Sequence, residues 1–299
     1  MTKVNFVILA AGKGTRMRSA LPKVLHKLSG RSMLGHVVAA VESLGEAKKI
    51  IVTGHGAEQV EQQFKSPTTI FIQQKKQLGT GHAVHMAVPE LCSDAVVIVL
   101  YGDVPLIRPA TIQKILAVVT ESTMGLLTIN LDQPTGYGRI VRNTSGDITE
   151  IIEQKDASVE QLKITEVNTG VLALQSSQLS DWLPKITNNN AQGEYYLTDL
   201  VAIAREAGVE IISVNPESVT EVEGVNNRVQ LSQLERAHQR QLAEVLMESG
   251  TSLADPARFD QRGELSAGTD NFIDINCVFN GSVTIGSNVS IGANCQISD

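Results

Sequence analysis

Residues 4–17 read VNFVILAAGKGTRM: an apolar run from Val4 to Leu9, two alanines, then Gly12-Lys13-Gly14. A short continuous apolar segment that breaks into glycines is the pattern of a buried strand feeding a turn built to hold phosphate. Neither familiar phosphate loop fits it. No Gly-Lys-[ST] follows a glycine at the spacing of G-x-x-x-x-G-K-[ST], and Met17 stands where the third glycine of G-x-G-x-x-G belongs.

The surrounding charge points to an anion. Met1 to Val41 contains no Asp or Glu, but Lys3, Lys13, Lys23, Lys27, Arg16, Arg18 and Arg31, in a chain of net charge −7. A basic island in an acidic protein suggests a local anion site, and the overall charge argues against nucleic acid as a partner. Lys3, Lys27 and Arg31 read as solvated residues of a helix face; the cations around the turn read as anion-binding.

Outward from the turn, apolar β-branched runs recur at 50–52, 69–72, 95–101 and 125–131. Helical-period segments at 32–44, 57–64, 81–88 and 109–120 separate them. This alternation predicts an α/β fold, a Rossmann-like doubly wound, mostly parallel sheet. Ligands of such sheets bind beyond the carboxyl ends of the strands. Two polar features fall at such ends, the Gly-rich turn and Tyr101-Gly102-Asp103, so the two are expected to face one another. Beyond residue 130 the pattern loosens into glycine-bearing polar loops at 136–139, 168–170 and 188–196, either functional or plain connections.

Helical spacing returns over 229–249, with Gly250 as a stop. Ile273, Phe279, Ile285, Ile291 and Ile297 then recur every six residues, with Cys277, Val283, Val289 and Cys295 each two positions earlier than the last four. That is the period of a hexapeptide β-helix, three hexads to a coil. The expected organisation is an α/β domain over 1–227, a linker helix over 228–250 and the start of a parallel β-helix over 251–299. Stacked coils bury one another, so fewer than two coils suggest a piece of a longer protein.

Three scattered cysteines without a C-x-x-C pair fit a reducing compartment, and so a cytoplasmic location. No apolar run approaches the length of a membrane span, so no membrane is expected. The N-terminal run lacks a signal-peptide cleavage site.

Asp103 can hold a metal facing the basic turn, or serve as a turn residue before Val104-Pro105. Gln74 carries an amide able to read a pyrimidine edge, or simply to be solvated. His82 and His85 lie three apart but lack a third ligand, which favours packing over metal binding.

LAAGKGTRM with LPKVLH (21–26) resembles the signature of the sugar-nucleotidyltransferase (nucleoside-diphosphosugar pyrophosphorylase) family. The likeness continues in QLGTGHA (77–83), YGDVPL (101–106), PTGYGRI (134–140), EVNTG (166–170), NNNAQGEYYLTD (188–199), EVEGVNNR (221–228) and DPARFD (255–260). With the hexapeptide tail, it is similar to the bifunctional bacterial members that couple uridylyl transfer to acetyl transfer. The resemblance implies that 1–227 is a nucleotidyltransferase domain and that the β-helix begun at 251–299 is left-handed.

The resemblance implies UTP and N-acetylglucosamine 1-phosphate as substrates, UDP-N-acetylglucosamine and pyrophosphate as products, and Mg²⁺ as cofactor. The role would lie in cell-envelope (peptidoglycan and lipopolysaccharide) precursor synthesis. It places the Leu9-Ala10-Ala11-Gly12 backbone on the nucleotide, with Gln74 and Gly79 on uracil. Thr80, Tyr101, Gly102, Gly138, Glu153 and Asn168 match the surroundings of the sugar phosphate. Asp103 and Asn226 match the metal ligands, with Asn227 the lesser candidate; Arg16 and Lys23 match the triphosphate cations. Gln154 departs from the His common in relatives. A homotrimer through the β-helix is implied for the longer protein. Acetyl transfer is not expected here, its site lying in later coils. Open alternatives are a different sugar phosphate and nucleotide pair, or a non-catalytic nucleotide-sugar sensor.

Overall fold

The computed structural model describes residues 3–299. In chain order, β1 (Val4–Ala10) leads through the Gly-rich turn to a small hairpin, β2 (Lys27–Leu28) and β3 (Arg31–Ser32). Then come α1 (Met33–Glu42), β4 (Lys48–Thr53), α2 (Ala57–Phe64), β5 (Thr69–Gln73), α3 (Thr80–Ala87), β6 (Val96–Tyr101), α4 (Pro109–Ala117) and β7 (Thr123–Asn130). A second hairpin, β8 (Arg139–Arg142) and β9 (Ile148–Ile152), precedes β10 (Glu166–Gln175), α5 (Ser176–Trp182), α6 (Leu200–Glu206) and β11 (Glu210–Val214).

The main sheet runs β11-β7-β10-β6-β1-β4-β5. β10 is antiparallel to both neighbours, whereas the pairs β1–β4, β1–β6, β4–β5 and β7–β11 are parallel. The sheet is therefore a mixed one, with β10 the antiparallel strand between parallel neighbours. Strand periodicity sorts its side chains into two cores. Val7, Leu9, Val97 and Val99 join the packing on one face, and Phe6, Ile8, Ile98 and Leu100 that on the other. Both faces are covered, which is why these strands read as continuous apolar runs.

Two helices end two or more residues short of the periodic pattern. α1 stops at Glu42 rather than 44. α4 stops at Ala117, where the Thr123 hydroxyl takes the Val118 carbonyl at 2.6 Å and competes with another helical turn. Lys3, Lys27 and Arg31 are not on a helix face. Lys3 pairs with Asp94 at 2.9 Å, and Lys27 and Arg31 belong to the β2–β3 hairpin.

α7 (Arg228–Glu248) begins with Asn227 capping the Gln230 N–H at 2.9 Å and ends before Gly250, at φ 104°. Beyond it lie β12 (Thr251–Leu253), β13 (Phe259–Ala267), β14 (Asn271–Ile273), β15 (Cys277–Ile285), β16 (Ser290–Ile291) and β17 (Gln296–Ser298). They form two parallel stacks, β12-β14-β16 and β13-β15-β17. Phe259 pairs with Cys277 and Phe279 with Ile297, eighteen residues on in each case, which is three hexads per coil.

The coils start earlier than Ile273, the first residue of the visible repeat. Thr251 pairs with Asn271, twenty residues on, because a short 3-10 turn at Pro256–Arg258 adds two residues. That insertion hides β12 from a six-residue count, while β13 keeps the eighteen-residue offset. Phe259, Ile273, Cys277 and Phe279 fill the interior, with Phe259 and Phe279 ring centroids 5.6 Å apart, and Ala243 and Leu246 of α7 pack against them.

Gln239, 1 % exposed, ties α7 to both neighbours. Its Nε2 donates to Ser29 Oγ (3.1 Å) in the β2–β3 hairpin and to the Gln261 carbonyl (2.7 Å) in β13, while its Oε1 accepts from Gln261 N at 2.8 Å.

Candidate active site

The sheet register brings the two polar strand ends together. Leu9 stands between Val52 and Tyr101, and Gly102 N donates to the Leu9 carbonyl at 2.9 Å. The Gly-rich turn and Tyr101-Gly102-Asp103 are therefore neighbours at the carboxyl edge. Gly14 has φ 60°, and a Cβ there would lie 2.7 Å from Lys23 Cβ. Only glycine satisfies both the left-handed backbone and the close approach of the lysine-bearing segment.

After Gly14 the chain makes a 3-10 turn at Thr15–Met17 that buries Met17 and leaves Arg16 exposed. Lys23 starts a second such turn. The Lys23 ammonium forms an ion pair with Asp103 Oδ2, both side chains largely shielded from solvent, and lies 3.4 Å from Asn226 Oδ1. Arg16 donates to the same Asn226 oxygen at 2.9 Å. Val225 N, donating to the Asp103 carbonyl at 2.9 Å, draws the distant 224–227 segment in. Arg16, Lys23, Asp103 and Asn226 thus meet at one edge, although 210 positions separate the first from the last.

Beside them lies a cavity of about 340 Å³. The Leu9-Ala10-Ala11-Gly12 backbone forms one wall, and Gln74, Gly79, Thr80, Tyr101 and Asp103 form others. Gln74 is 4 % exposed, its Nε2 3.1 Å from the Gly79 carbonyl and 2.8 Å from His82 Nδ1. Gly79, at φ 111°, sits against Tyr195, whose N–H donates to the Leu78 carbonyl at 2.8 Å.

Gly138, Glu153 and Asn168 gather as a second group beyond Tyr101. Asn168 N donates to the Gly138 carbonyl at 2.9 Å, and a Cβ on Gly138 would lie 3.3 Å from Glu153 Oε1. Thr198 Oγ1 donates to Glu153 at 3.3 Å, and Thr80 Oγ1 accepts from Leu197 N at 3.1 Å. Asn168 Oδ1 accepts from Gly170 N at 3.0 Å, and Gly170 packs on the Tyr101 ring.

Burial, reinforced by the Asp103 and Glu153 charges, raises the Tyr101 phenol and keeps it protonated. Burial likewise pushes the Glu153 carboxyl up, and pushes Asp199 up to about 6 with the nearby Asp156 charge adding to it.

Lys13, one of the turn cations expected to bind an anion, also lines the cavity, as do Gln77 and Glu194, for which the sequence alone indicates no role. Gln77 Nε2 donates to the Ala11 carbonyl at 2.5 Å and braces the turn. Its place in QLGTGHA was the available signal; Glu194 lay in the NNNAQGEYYLTD loop with nothing to set it apart. Asn227 spends its side-chain oxygen on the α7 cap. Gln154 accepts from Gly136 N, pinning the 134–138 loop.

Among the described residues no three His, Cys, Asp or Glu side chains gather as a metal cluster. The donor set at this edge is one carboxylate and one amide oxygen, both facing the Lys23 ammonium. Two hard oxygens already arranged around a cation suit Mg²⁺, which takes few protein ligands and completes its shell with phosphate and water. No described helix is long and apolar enough to cross a membrane.

Residues 6–149 match the family model described as the MobA-like NTP transferase domain. The chain is 54% identical over 294 residues to the bifunctional protein GlmU of Burkholderia thailandensis and 53% identical to that of Burkholderia multivorans. Each alignment covers 98% of this chain and 65% of the relative, so the chain spans about two-thirds of their length.

Among solved structures, a UDP-glucose pyrophosphorylase complexed with UDP-glucose superposes with a TM-score of 0.65 at 15% identity, covering 81% of this chain and all of that one. A putative glucose-1-phosphate thymidylyltransferase from Bacillus anthracis gives 0.62 at 18% identity, over 78% of this chain and 94% of its own. At such identities the likeness is one of fold.

Proposed function

We propose, from the match of residues 6–149 to the MobA-like NTP transferase domain and the likeness to bifunctional GlmU proteins, that this chain is a uridylyltransferase making UDP-N-acetylglucosamine and pyrophosphate from UTP and N-acetylglucosamine 1-phosphate. The observation that carries this reading is the meeting of Arg16, Lys23, Asp103 and Asn226 at the edge of a cavity that also holds Gln74.

A phosphate oxygen of the sugar phosphate attacks the α-phosphorus of UTP; that P–O bond forms while the bond to the β-phosphate oxygen breaks. The attacking oxygen is already anionic near neutral pH, so no general base is required. The demands are in-line positioning and relief of charge on the departing pyrophosphate. Arg16 and Lys23 meet that charge, and the Leu9–Gly12 backbone holds the nucleotide. Asp103 and Asn226 would hold Mg²⁺, which when bound supplies charge neutralisation at the phosphates. Glu153 and Asn168 offer acceptors and donors for sugar hydroxyl and acetamido groups.

The cytoplasm, where UTP is made, is the proposed compartment. Trimerisation is proposed to run through the coils, where Phe272 of β14 is 42% exposed.

The test is pyrophosphate release with UTP and N-acetylglucosamine 1-phosphate, with and without Mg²⁺, beside other nucleotide and sugar phosphate pairs. Preferred turnover of this pair is expected. No release with any pair would overturn the reading and leave a nucleotide-sugar binding protein.

A further inference from the structure

Gln74 follows β5, held by its backbone N–H on the Thr53 carbonyl at 2.7 Å and buried except where it borders the cavity. Its side-chain amide has two distinct ends, and the structure fixes which end goes where. The Gly79 carbonyl, 3.1 Å away, can only accept, so the group facing it is the NH₂. The second hydrogen of that NH₂ is directed at His82 Nδ1, 2.8 Å away.

His82 lies in the first half of α3. Burial, with the neighbouring His85, lowers its affinity for a proton. As an acceptor at Nδ1 it is neutral with its hydrogen on Nε2. Both amide hydrogens are thereby used, and Gln74 Oε1 makes no hydrogen bond with any described residue. The oxygen is the unspent group of a side chain that lines the nucleotide cavity.

A lone acceptor discriminates between pyrimidines. Uracil offers N3–H as a donor between two carbonyls, whereas cytosine has an unprotonated N3 beside an amino group. Oε1 satisfies the first and repels the second. Turned over, the same amide would favour cytosine. The choice therefore depends on what holds the NH₂ end away from the base. Gly79 supplies one acceptor and His82 the other, at the shorter distance.

We propose that His82 is a positioning residue that sets which pyrimidine nucleotide the site accepts, by locking the Gln74 amide with its oxygen free for uracil. This rests on the nucleotidyltransferase reading above and extends it from the residue that meets the base to the residue that orients it. His82 does not touch the base in this arrangement; it acts through Gln74.

The experiment compares kcat/KM for UTP and CTP, each with N-acetylglucosamine 1-phosphate, in the unaltered protein, His82→Leu and His82→Asn. Leu removes the acceptor, while Asn places an amide oxygen close to where Nδ1 stood. For His82→Leu the UTP preference is expected to fall about 10-fold or more, the scale of one misdirected buried hydrogen bond. The loss should enter through KM for UTP, with kcat at saturating UTP within about 3-fold. His82→Asn should recover most of the preference.

An unchanged UTP/CTP ratio in His82→Leu would overturn the proposal. So would equal losses with both nucleotides that His82→Asn fails to rescue, which is the signature of a packing role. Should the unaltered protein turn over neither nucleotide, the uridylyltransferase reading falls by itself. The proposal on His82 is then decided by calorimetric binding of uridine and cytidine 5′-monophosphates to the same three proteins: a uridine preference lost in Leu and kept in Asn supports it, and any other pattern overturns it.

Discussion

Lys23 and Asn226 lie 203 positions apart in the chain, yet the lysine ammonium stands 3.4 Å from the asparagine oxygen. The contact closes the site: the first belongs to the basic segment after β1, the second to the run that enters α7. Asn226 also accepts from Arg16, so one amide oxygen organises both cations at this edge of the cavity.

Asp103→Asn and Asn226→Ala each remove one of the two hard oxygens offered to Mg²⁺. Each variant is expected to need about 10-fold more Mg²⁺ for half-maximal pyrophosphate release, as loss of a ligand weakens a two-ligand site. Mg²⁺ titrations of initial rate check this. A midpoint identical to that of the unaltered protein removes the residue from the metal site.

Arg16→Ala takes away a charge that the proposed reaction needs where negative charge develops, not where the base is bound. Turnover should drop about 10²-fold or more, in line with other preorganised charge-stabilising groups, while uridine binding stays within about 2-fold. Rate assays alongside calorimetry of uridine separate the two effects. Parallel losses would mean that Arg16 holds the turn together rather than serving the chemistry.

Gly14→Ala forces a side chain into left-handed backbone and to within 2.7 Å of Lys23 Cβ. The backbone strain alone costs about 1–2 kcal/mol. Displacement of Lys23 should lower kcat more than the melting temperature suggests. Activity retained at the level of the unaltered protein would show that the lysine-bearing turn can give way freely.

His36 of α1 and His238 of α7 meet edge to face, ring centroids 5.7 Å apart, where α1 of the main α/β unit faces the long helix. Burial, together with the facing His36, lowers His238 from 6.5 to about 4, and burial lowers His36 too. Arg31 and Glu235 are the charged groups that act on His36; Glu235 also acts on His238. Above pH 6.5 both imidazoles are neutral whether folded or unfolded, and their contribution is fully present. As pH falls from 6.5 towards about 4 the unfolded chain takes up protons that the folded one refuses, and stability drops. For His238 the loss is about 3 kcal/mol. Denaturant melts between pH 7 and pH 4 should show a steeper decline than His238→Leu does; coincident profiles would remove the pair from the acid response.

The main sheet was legible because its strands are buried on both faces, so Val4–Leu9 and residues 95–101 show as unbroken apolar runs. The antiparallel course of β10 was not, since Glu166–Gln175 carries no mark of direction. The opening strand of the first coil escaped because the two residues added around Pro256 shift Thr251 and Leu253 off the six-residue count. At the site, Arg16, Lys23 and Asp103 stood out by charge and position at strand ends. Asn226 was visible only through the resemblance, as its role comes from a contact 210 residues away. The pairing of Gln74 with His82 needed coordinates: eight positions and a turn separate them, and nothing in composition says that the imidazole meets the amide.

Gln239 is bonded at once to the β2–β3 hairpin and to the first coil, and it lies where water cannot take over either partner. Lifting the coils away would break both Gln239–Gln261 bonds and strand those polar groups in a half-opened seam, at a few kcal/mol. Melting therefore has no inexpensive first step at this junction. Heated, the chain should come apart in a single cooperative transition, with the coils and the segment that carries Lys23 lost together rather than as two bodies in succession.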